Sequence, residues 1–590
     1  MTTGTNMRGG RPTIACTHGV VASRHYLASE AGLHILRSGG NAADAAAATA
    51  FALTVLEPHQ NGFGGEAPVL IHSAAEGRVC AVSGHGTAPA AATIERFREL
   101  GVDEVIPGDG FLGAVVPSAP ATWIAVLERF GTMRLADVMA PALELAAGGF
   151  PVGQALNRAI AEHAKRFREE WPSSARVFLR DGEPPRPGAV WRQPELAATF
   201  RKLIEAERGH SGREAGLQAA HARFYNEDMA AAIVEFGAGT PIRDASGRAH
   251  TCLLTREDLA GFRARIEEPV RYSYRGIEVH KCGPWTQGPV MLQSLSLLAG
   301  FDLRAMGHNS ADYIHTVTEC MKLAYADREF YYGDPEFVEV PFDRLLSEGY
   351  AAERRALVDA RTASLELRPG GYPSLRAERA HDVARAMASG GRWSDPRGDT
   401  TKLDVVDHAG NMVSATPSGG WLMSSPIVPG LGFPLGTRGQ MFSLVRGHPN
   451  CLEPGKRPRT TLTPTLALRD SRPYMAFGSP GGDCQDQWAL QFFLNVTAFG
   501  LSAQEAVEAP TFWSGHWPSS FYPRAAAPGV LHLESRIAPA VRAELRRRGH
   551  RVRVEAPFAG GNAMAVSIDA GGVLRAAASP RHEPAYAMGW

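Results

Sequence analysis

Ala42 to Leu56 runs as mostly small and apolar residues, after the punctuation of Gly39-Gly40-Asn41 and before Glu57-Pro58. A run of strong helix formers between such signals predicts a buried helix with a closely packing Ala-rich face. Residues 67–72 read as a buried strand. From about residue 121 to 330 the pattern is mainly helical, best at 123–130, 135–147, 194–207, 217–236 and 310–330. One further helix ends at 258–262, and 269–280 predicts paired strands around Tyr274-Arg275-Gly276. Beyond residue 400 the chain turns abruptly strand-like. Residues 401–406 and 411–416 flank Asp407-His408-Ala409-Gly410 as a hairpin, and 463–468 with 474–478 make a second. Residues 488–496 and 503–509 read as helices. Strands followed by helices argue for layered α+β packing over a doubly wound parallel sheet.

Between these halves, residues 368–399 are rich in breakers, with a short helical piece at 381–388 and then Gly390-Gly391-Arg392-Trp393-Ser394-Asp395-Pro396-Arg397-Gly398. Such composition predicts an exposed connecting segment, and by itself asks for nothing beyond a linker. The 590 residues would by length alone suggest three to four domains. Lys plus Arg balance Asp plus Glu at 61 each, so nothing in the charge calls for nucleic acid or an anionic membrane. The seven cysteines form no CxxC pair and are odd in number, which predicts free buried thiols. Residues 1–16 lack the apolar core of a secretory signal, and no stretch approaches the ~18 apolar residues of a membrane span. A soluble, cytoplasmic protein is expected. There is no HExxH, no zinc-type Cys/His spacing, no P-loop and no GxSxG elbow. His315 and Glu319 lie four apart on a predicted helix without a visible third ligand. No metal and no cofactor are expected.

The informative junction is Gly398-Asp399-Thr400-Thr401, where a breaker-rich segment meets a predicted strand. If the 399–400 bond breaks, Thr400 gains a free α-amine, titrating near pH ~8, beside its own hydroxyl. Such a threonine needs no separate histidine base. Alone, a threonine at a strand start is an ordinary strand residue.

The surrounding segments change that weight. They are Ser38-Gly39-Gly40-Asn41-Ala42-Ala43-Asp44-Ala45-Ala46, Glu57-Pro58-His59 with Gly62-Phe63-Gly64-Gly65, Thr87-Ala88-Pro89, Ala324-Tyr325-Ala326-Asp327-Arg328 with Gly333-Asp334-Pro335, Thr400-Thr401 leading into Val405-Val406-Asp407 and Gly410-Asn411-Met412-Val413-Ser414, and Gly478-Ser479-Pro480-Gly481-Gly482. In order and spacing they resemble the γ-glutamyltransferase (glutathione hydrolase) family over nearly the whole chain. The resemblance implies a four-layer αββα sandwich of the N-terminal-nucleophile hydrolase type. It implies a proenzyme that cuts itself between Asp399 and Thr400 into a large subunit, 1–399, ending in the processing segment at about 368–399, and a small subunit, 400–590. Thr400 would attack an amide, and the acyl group would pass to water or an amine. Gly481 and Gly482 match the family's oxyanion hole, and Ser418 matches a hydroxyl that bonds the nucleophile. Thr460-Thr461 match a Ser-Ser pair that binds the substrate carboxylate. The partners implied are a small-molecule amide and the other fragment of the precursor, with room for a homodimer of the processed pair, and the family setting is glutathione metabolism.

Three positions depart from the family. His85 stands where an arginine would grip the glutamyl α-carboxylate, and an imidazole has no guanidinium fork. The stretch 435–441, including Gln440-Met441, has no carboxylate for the substrate amine. Lys402 replaces a histidine two residues after the nucleophile. Losing both charged anchors predicts a substrate other than a free α-amino acid, with Arg438 and Arg459 open either to a carboxylate elsewhere on it or to internal ion pairs. Two alternatives stand: an acylase on non-glutamyl amides of the cephalosporin side-chain kind, and an unprocessed, non-catalytic binding scaffold.

Overall fold

The computed structural model describes residues 10–371, Met387 and 400–590. Two seven-stranded sheets organise it. One runs in the order Tyr586–Gly589, Gly19–Ser23, Leu403–Asp407, Met412–Ala415, Val69–Ser73, Arg78–Val82, Ile266–Glu267. The other runs Ile14–Cys16, Leu574–Ala578, Met564–Ile568, Arg472–Gly478, Thr465–Arg469, Ile277–Lys281, Val270–Tyr274. Their strands pair antiparallel, and both sheets combine strands from before and after residue 400.

Alternation along the strands sorts side chains to two faces. Val20, Ala22, Leu70, Val406 and Met412 of the first sheet share one apolar cluster with Leu466, Ala476, Met564, Val566 and Ala576 of the second. The first sheet's other face, including Val21, Ile71, Val405 and Val413, packs on helices Tyr26–Arg37 and Ala42–Leu56. The second sheet's other face, including Val279, Ala467 and Phe477, packs on Pro289–Leu298, Ala311–Tyr331 and Gln485–Thr497.

Both expected hairpins form. In the first, Asp407 accepts from the Ala409 and Asn411 amides at 3.0 Å and from the Ala42 amide at 2.9 Å. One carboxylate thus closes the turn and ties it to the first turn of the Ala-rich helix, whose N-terminus also has an Asn41/Asp44 capping box. The expected helix at 217–236 is two helices, Arg213–Tyr225 and Asp228–Gly239. Asn226 and Glu227 leave helical geometry there without a Gly or Pro to announce it. The terminal strands Ile14–Cys16, Gly19–Ser23, Met564–Ile568, Leu574–Ala578 and Tyr586–Gly589 add to the sheets beyond what periodicity suggested. The helical piece expected at 381–388 lies outside the described residues except for Met387, and so do residues 372–380 and 389–399 of that segment. All seven cysteines are free, and six are buried.

The glycines of 62–65 matter because backbone crosses them. A Cβ on Gly62 would overlap the Gly420 carbonyl, and one on Gly65 the carbonyls of Ser418 and Gly419. Neither obstacle is a side chain that can swing away. Gly65→Ala is expected to lower stability by about 1–3 kcal/mol, the usual cost of overpacking, and to displace the 417–420 segment. Calorimetry should show a clearly lower Tm; an unchanged Tm would mean that this crossing has slack.

Candidate active site

Thr400 lies at the entry to strand Leu403–Asp407, joined by an isolated bridge to Ser418, which bridges onward to Glu66. Backbone hydrogen bonds of 2.9 Å from Thr401 N to Pro417 O and in both directions between Glu66 and Ser418 fix the three segments. The Thr400 and Ser418 hydroxyl oxygens are 3.1 Å apart, and both residues are fully buried. Arg438 Nη2 donates to Ser418 Oγ at 2.8 Å. A guanidinium only donates, so Ser418 Oγ accepts that bond, and either hydroxyl can donate across the Thr400–Ser418 contact.

Arg438 is also ion-paired with Glu66, and its guanidinium lies over the rings of Trp421 and Phe521. Burial pushes the Glu66 carboxyl up, against the pull of Arg438. Phe521 in turn lies 2.9 Å from where a Gly482 Cβ would stand, which links Ser418 through Arg438 and Phe521 to Gly481-Gly482. Those glycines have φ of +130° and +52°, open the short turn Gly482–Cys484 and lead into helix Gln485–Thr497. The backbone there adopts values that favour glycine.

The main chain of Thr400 is held by residues that sequence reasoning passed over. Its amide donates to Gln60 Oε1 at 3.2 Å, and its carbonyl accepts from Arg24 Nη1 at 2.5 Å. Arg24 Nη1 also donates to Gln60 Oε1 at 3.0 Å. Beside them, Thr401 Oγ1 donates to Glu57 Oε2 at 2.7 Å and His582 Nε2 meets Glu57 Oε1 at 2.8 Å. Burial works to raise the Glu57 carboxyl, but Arg24 and His582 outweigh it and hold the group below the usual carboxylate range. Gln60 sits inside the 57–65 segment already singled out, which was the available signal; Arg24 had none. Lys402 points between the sheets to Asp404, to Ser414 Oγ at 2.8 Å and to the Leu403 carbonyl. Burial lowers it to about 8 against the pull of Asp404.

The expected substrate-binding residues fall into two groups. Arg459 pairs with Glu329 at 2.8 Å and donates to the Arg328 carbonyl, so both Arg438 and Arg459 occupy internal ion pairs, the second of the two readings open for them. Thr460 pairs with Thr286, and Thr461 Oγ1 is buried with no hydrogen-bond partner among the described residues. His85 stacks on Trp285 and donates from Nε2 to the Pro458 carbonyl at 2.8 Å. Its Nδ1 is then a buried lone pair with no partner among the described residues. Burial, then Arg438, holds His85 well below its ordinary value, so it is neutral at pH 7. A cavity of about 530 Å³ opens against His85, lined also by Ser83, Thr87, Arg263, Asp334 and Arg457. Asp399 lies outside the described residues.

His550 joins His315 and Glu319, giving the third metal-type group that sequence spacing did not reveal. Glu319 is already engaged by Lys322 at 2.6 Å, Arg368 at 3.2 Å and the Ser364 amide. His315 Nδ1 meets His550 Nε2 directly at 2.9 Å. The carboxylate's charge is spent on two cations, which disfavours a third.

The family model for γ-glutamyltranspeptidase matches residues 28–589. The chain belongs to the γ-glutamyltranspeptidase family. It is 34% identical to the acylase ACY 1 proenzyme of Pseudomonas sp. (strain SE83) over 95% of this chain and 92% of that one. A solved structure of LmbA2991 is 47% identical, with a TM-score of 0.93, covering 98% of this chain and 99% of that one. The cephalosporin acylase of Bacillus halodurans, 30% identical, superposes with a TM-score of 0.84 over 100% of this chain and 99% of its own. This family membership carries the mixed helix/sheet fold of those amide hydrolases. No described helix is long and apolar enough to cross a membrane.

Next to Gln60, His59 is buried with neither ring nitrogen bonded among the described residues, and burial lowers it from 6.5 to about 3. The unfolded chain takes up this proton below about pH 6.5 while the fold resists it. Stability is therefore full above that pH and falls as pH drops, by up to ~1.4 kcal/mol per unit. Urea unfolding at pH 7.5 and 5.0 should show His59→Phe losing about 2 kcal/mol less than the parent over this interval. Equal losses would mean that His59 is not buried neutral.

Proposed function

We propose that the chain is a self-processing N-terminal-nucleophile amidohydrolase/acyltransferase with Thr400 as nucleophile. Its two sheets and flanking helices would form an αββα sandwich built from fragments 1–399 and 400–590. The carrying observation is the 3.1 Å approach of the Thr400 and Ser418 hydroxyls, with Thr400 N and O both held. In the precursor, Thr400 Oγ attacks the Asp399 carbonyl carbon, the peptide becomes an ester, and water releases the large fragment. The freed α-amine then takes the Oγ proton as Oγ attacks a substrate amide. The C–N bond breaks, and the proton passes to the leaving amine. Water or an amine takes the acyl group from Thr400 by the same route in reverse. Gly481 and Gly482 N–H groups would face the developing oxyanion, a contribution of ~3–4 kcal/mol where one such donor has been removed. The proenzyme name of the ACY 1 relative supports the processing step.

For the substrate we favour the acylase reading over γ-glutamyl transfer. His85 presents a neutral acceptor where a carboxylate would need a cation, Arg438 is neutralised by Glu66, and Arg459 is held in an internal cluster where it shares Glu329 with Arg328 and Arg524. The names of ACY 1 and the B. halodurans enzyme agree with this preference. Thr460, Thr461 and His85 are the residues proposed to contact the acyl group.

Denaturing electrophoresis should show fragments of about 399 and 191 residues, and Thr400→Ala a single full-length band with activity reduced at least ~10³-fold. A full-length parent band would end the autocleavage mechanism and favour the idle scaffold. Processed enzyme should hydrolyse an uncharged acyl anilide at least ~10-fold faster than a γ-glutamyl anilide, as expected from one lost charge-assisted hydrogen bond. The reverse order would restore the γ-glutamyl substrate.

A further inference from the structure

We propose that Arg24 and Gln60 form the seat of the Thr400 α-amine and set its strength as the catalytic base. This rests on the self-processing reading above. The atom that becomes the amine already donates to Gln60 Oε1 at 3.2 Å, and that same oxygen accepts from Arg24 Nη1 at 3.0 Å. Arg24 also holds the Thr400 carbonyl at 2.5 Å, so the nitrogen and oxygen of one residue are pinned by one buried pair. Arg24 and Gln60 are 3% and 9% exposed, which leaves little water to screen the guanidinium.

An ammonium formed there would share its acceptor with a permanent cation. Like charge at close range favours the neutral amine, the form that can take the Thr400 hydroxyl proton. Other charged groups face the position from several sides. Among the described residues Glu57 is an anion beside this pair, but its oxygens are engaged by Thr401 Oγ1 and His582, and it also draws on Arg24. His25 and His59, on the two segments that carry Arg24 and Gln60, are lowered by burial to about 4 and about 3 and are neutral at pH 7, and burial likewise lowers His582. Across Ser418, Arg438 and Glu66 cancel one another. Among the described residues Arg24 is the cation that shares an acceptor with the amine, and Gln60, being uncharged, accepts its hydrogen bond without restoring the ammonium. Arg24 and Gln60 are positioning residues, since both act through Thr400, Gln60 on its nitrogen and Arg24 on its carbonyl.

The test is the pH dependence of kcat/KM on an acyl anilide, with processed parent, Arg24→Gln, Arg24→Lys and Gln60→Glu. The parent's acid limb should lie at least one pH unit below the ~8 of an ordinary α-amine. Arg24→Gln should move that limb up by about one unit, Gln60→Glu should move it up as well by placing an anion on the amine, and Arg24→Lys should keep it near the parent position. If Arg24→Gln does not fold, Gln60→Glu against Arg24→Lys decides the matter. Variants that lower kcat/KM uniformly with the acid limb unmoved would show a merely structural role and overturn the proposal while leaving self-processing intact. A parent chain that never cleaves would instead overturn the reading beneath it, and this one with it.

Discussion

A strand paired on both edges and buried on both faces cannot shift, and Leu403–Asp407 is such a strand. It lies between Gly19–Ser23 and Met412–Ala415, and all five of its residues are buried. A slip of one residue would turn Val405 away from the helices and reverse every contact along it. Thr400 sits at its entry. The position of that hydroxyl follows from sheet register rather than from a flexible loop, and Asp407 anchors the far end to the helix at Ala42.

Around this fixed edge the protein buries charge in closed sets. Arg438 meets Glu66, Lys402 meets Asp404, and Glu329 gathers Arg328, Arg459 and Arg524. Such pairs add little net stability over apolar packing, but removing one partner strands the other. Their use here is orientation. Arg438 donates to Ser418 while it is paired with Glu66, so its charge is already matched inside the fold. The same economy brings strands from both sides of residue 400 into both sheets, so a cut before Thr400 would leave two fragments joined by ladders and shared cores.

The helices and hairpins were largely legible, because burial on one stripe or one face writes a period into the chain. Ala42–Leu56 and both hairpins needed nothing more. The break at Asn226 and the terminal strands were not legible, since neither carries a turn signal or a period of its own. At the candidate site, the segments around Thr400, Ser418 and Gly481-Gly482 stood out by residue type and order. Arg438 and Arg459 show the limit: an arginine in a sequence reads equally as a substrate clamp or an internal pair.

Sequence alone therefore determined the family and the main elements, and singled out the threonine on which the proposed chemistry rests, since those depend on local pattern and on the order of short segments. Tertiary structure alone decided which charges are already neutralised, that His85 offers a bare acceptor, and that Arg24 and Gln60 flank the Thr400 nitrogen. The Thr400 contacts join residues 340 and 376 positions apart, and burial, which makes them matter by excluding water, exists only after the chain has closed around them.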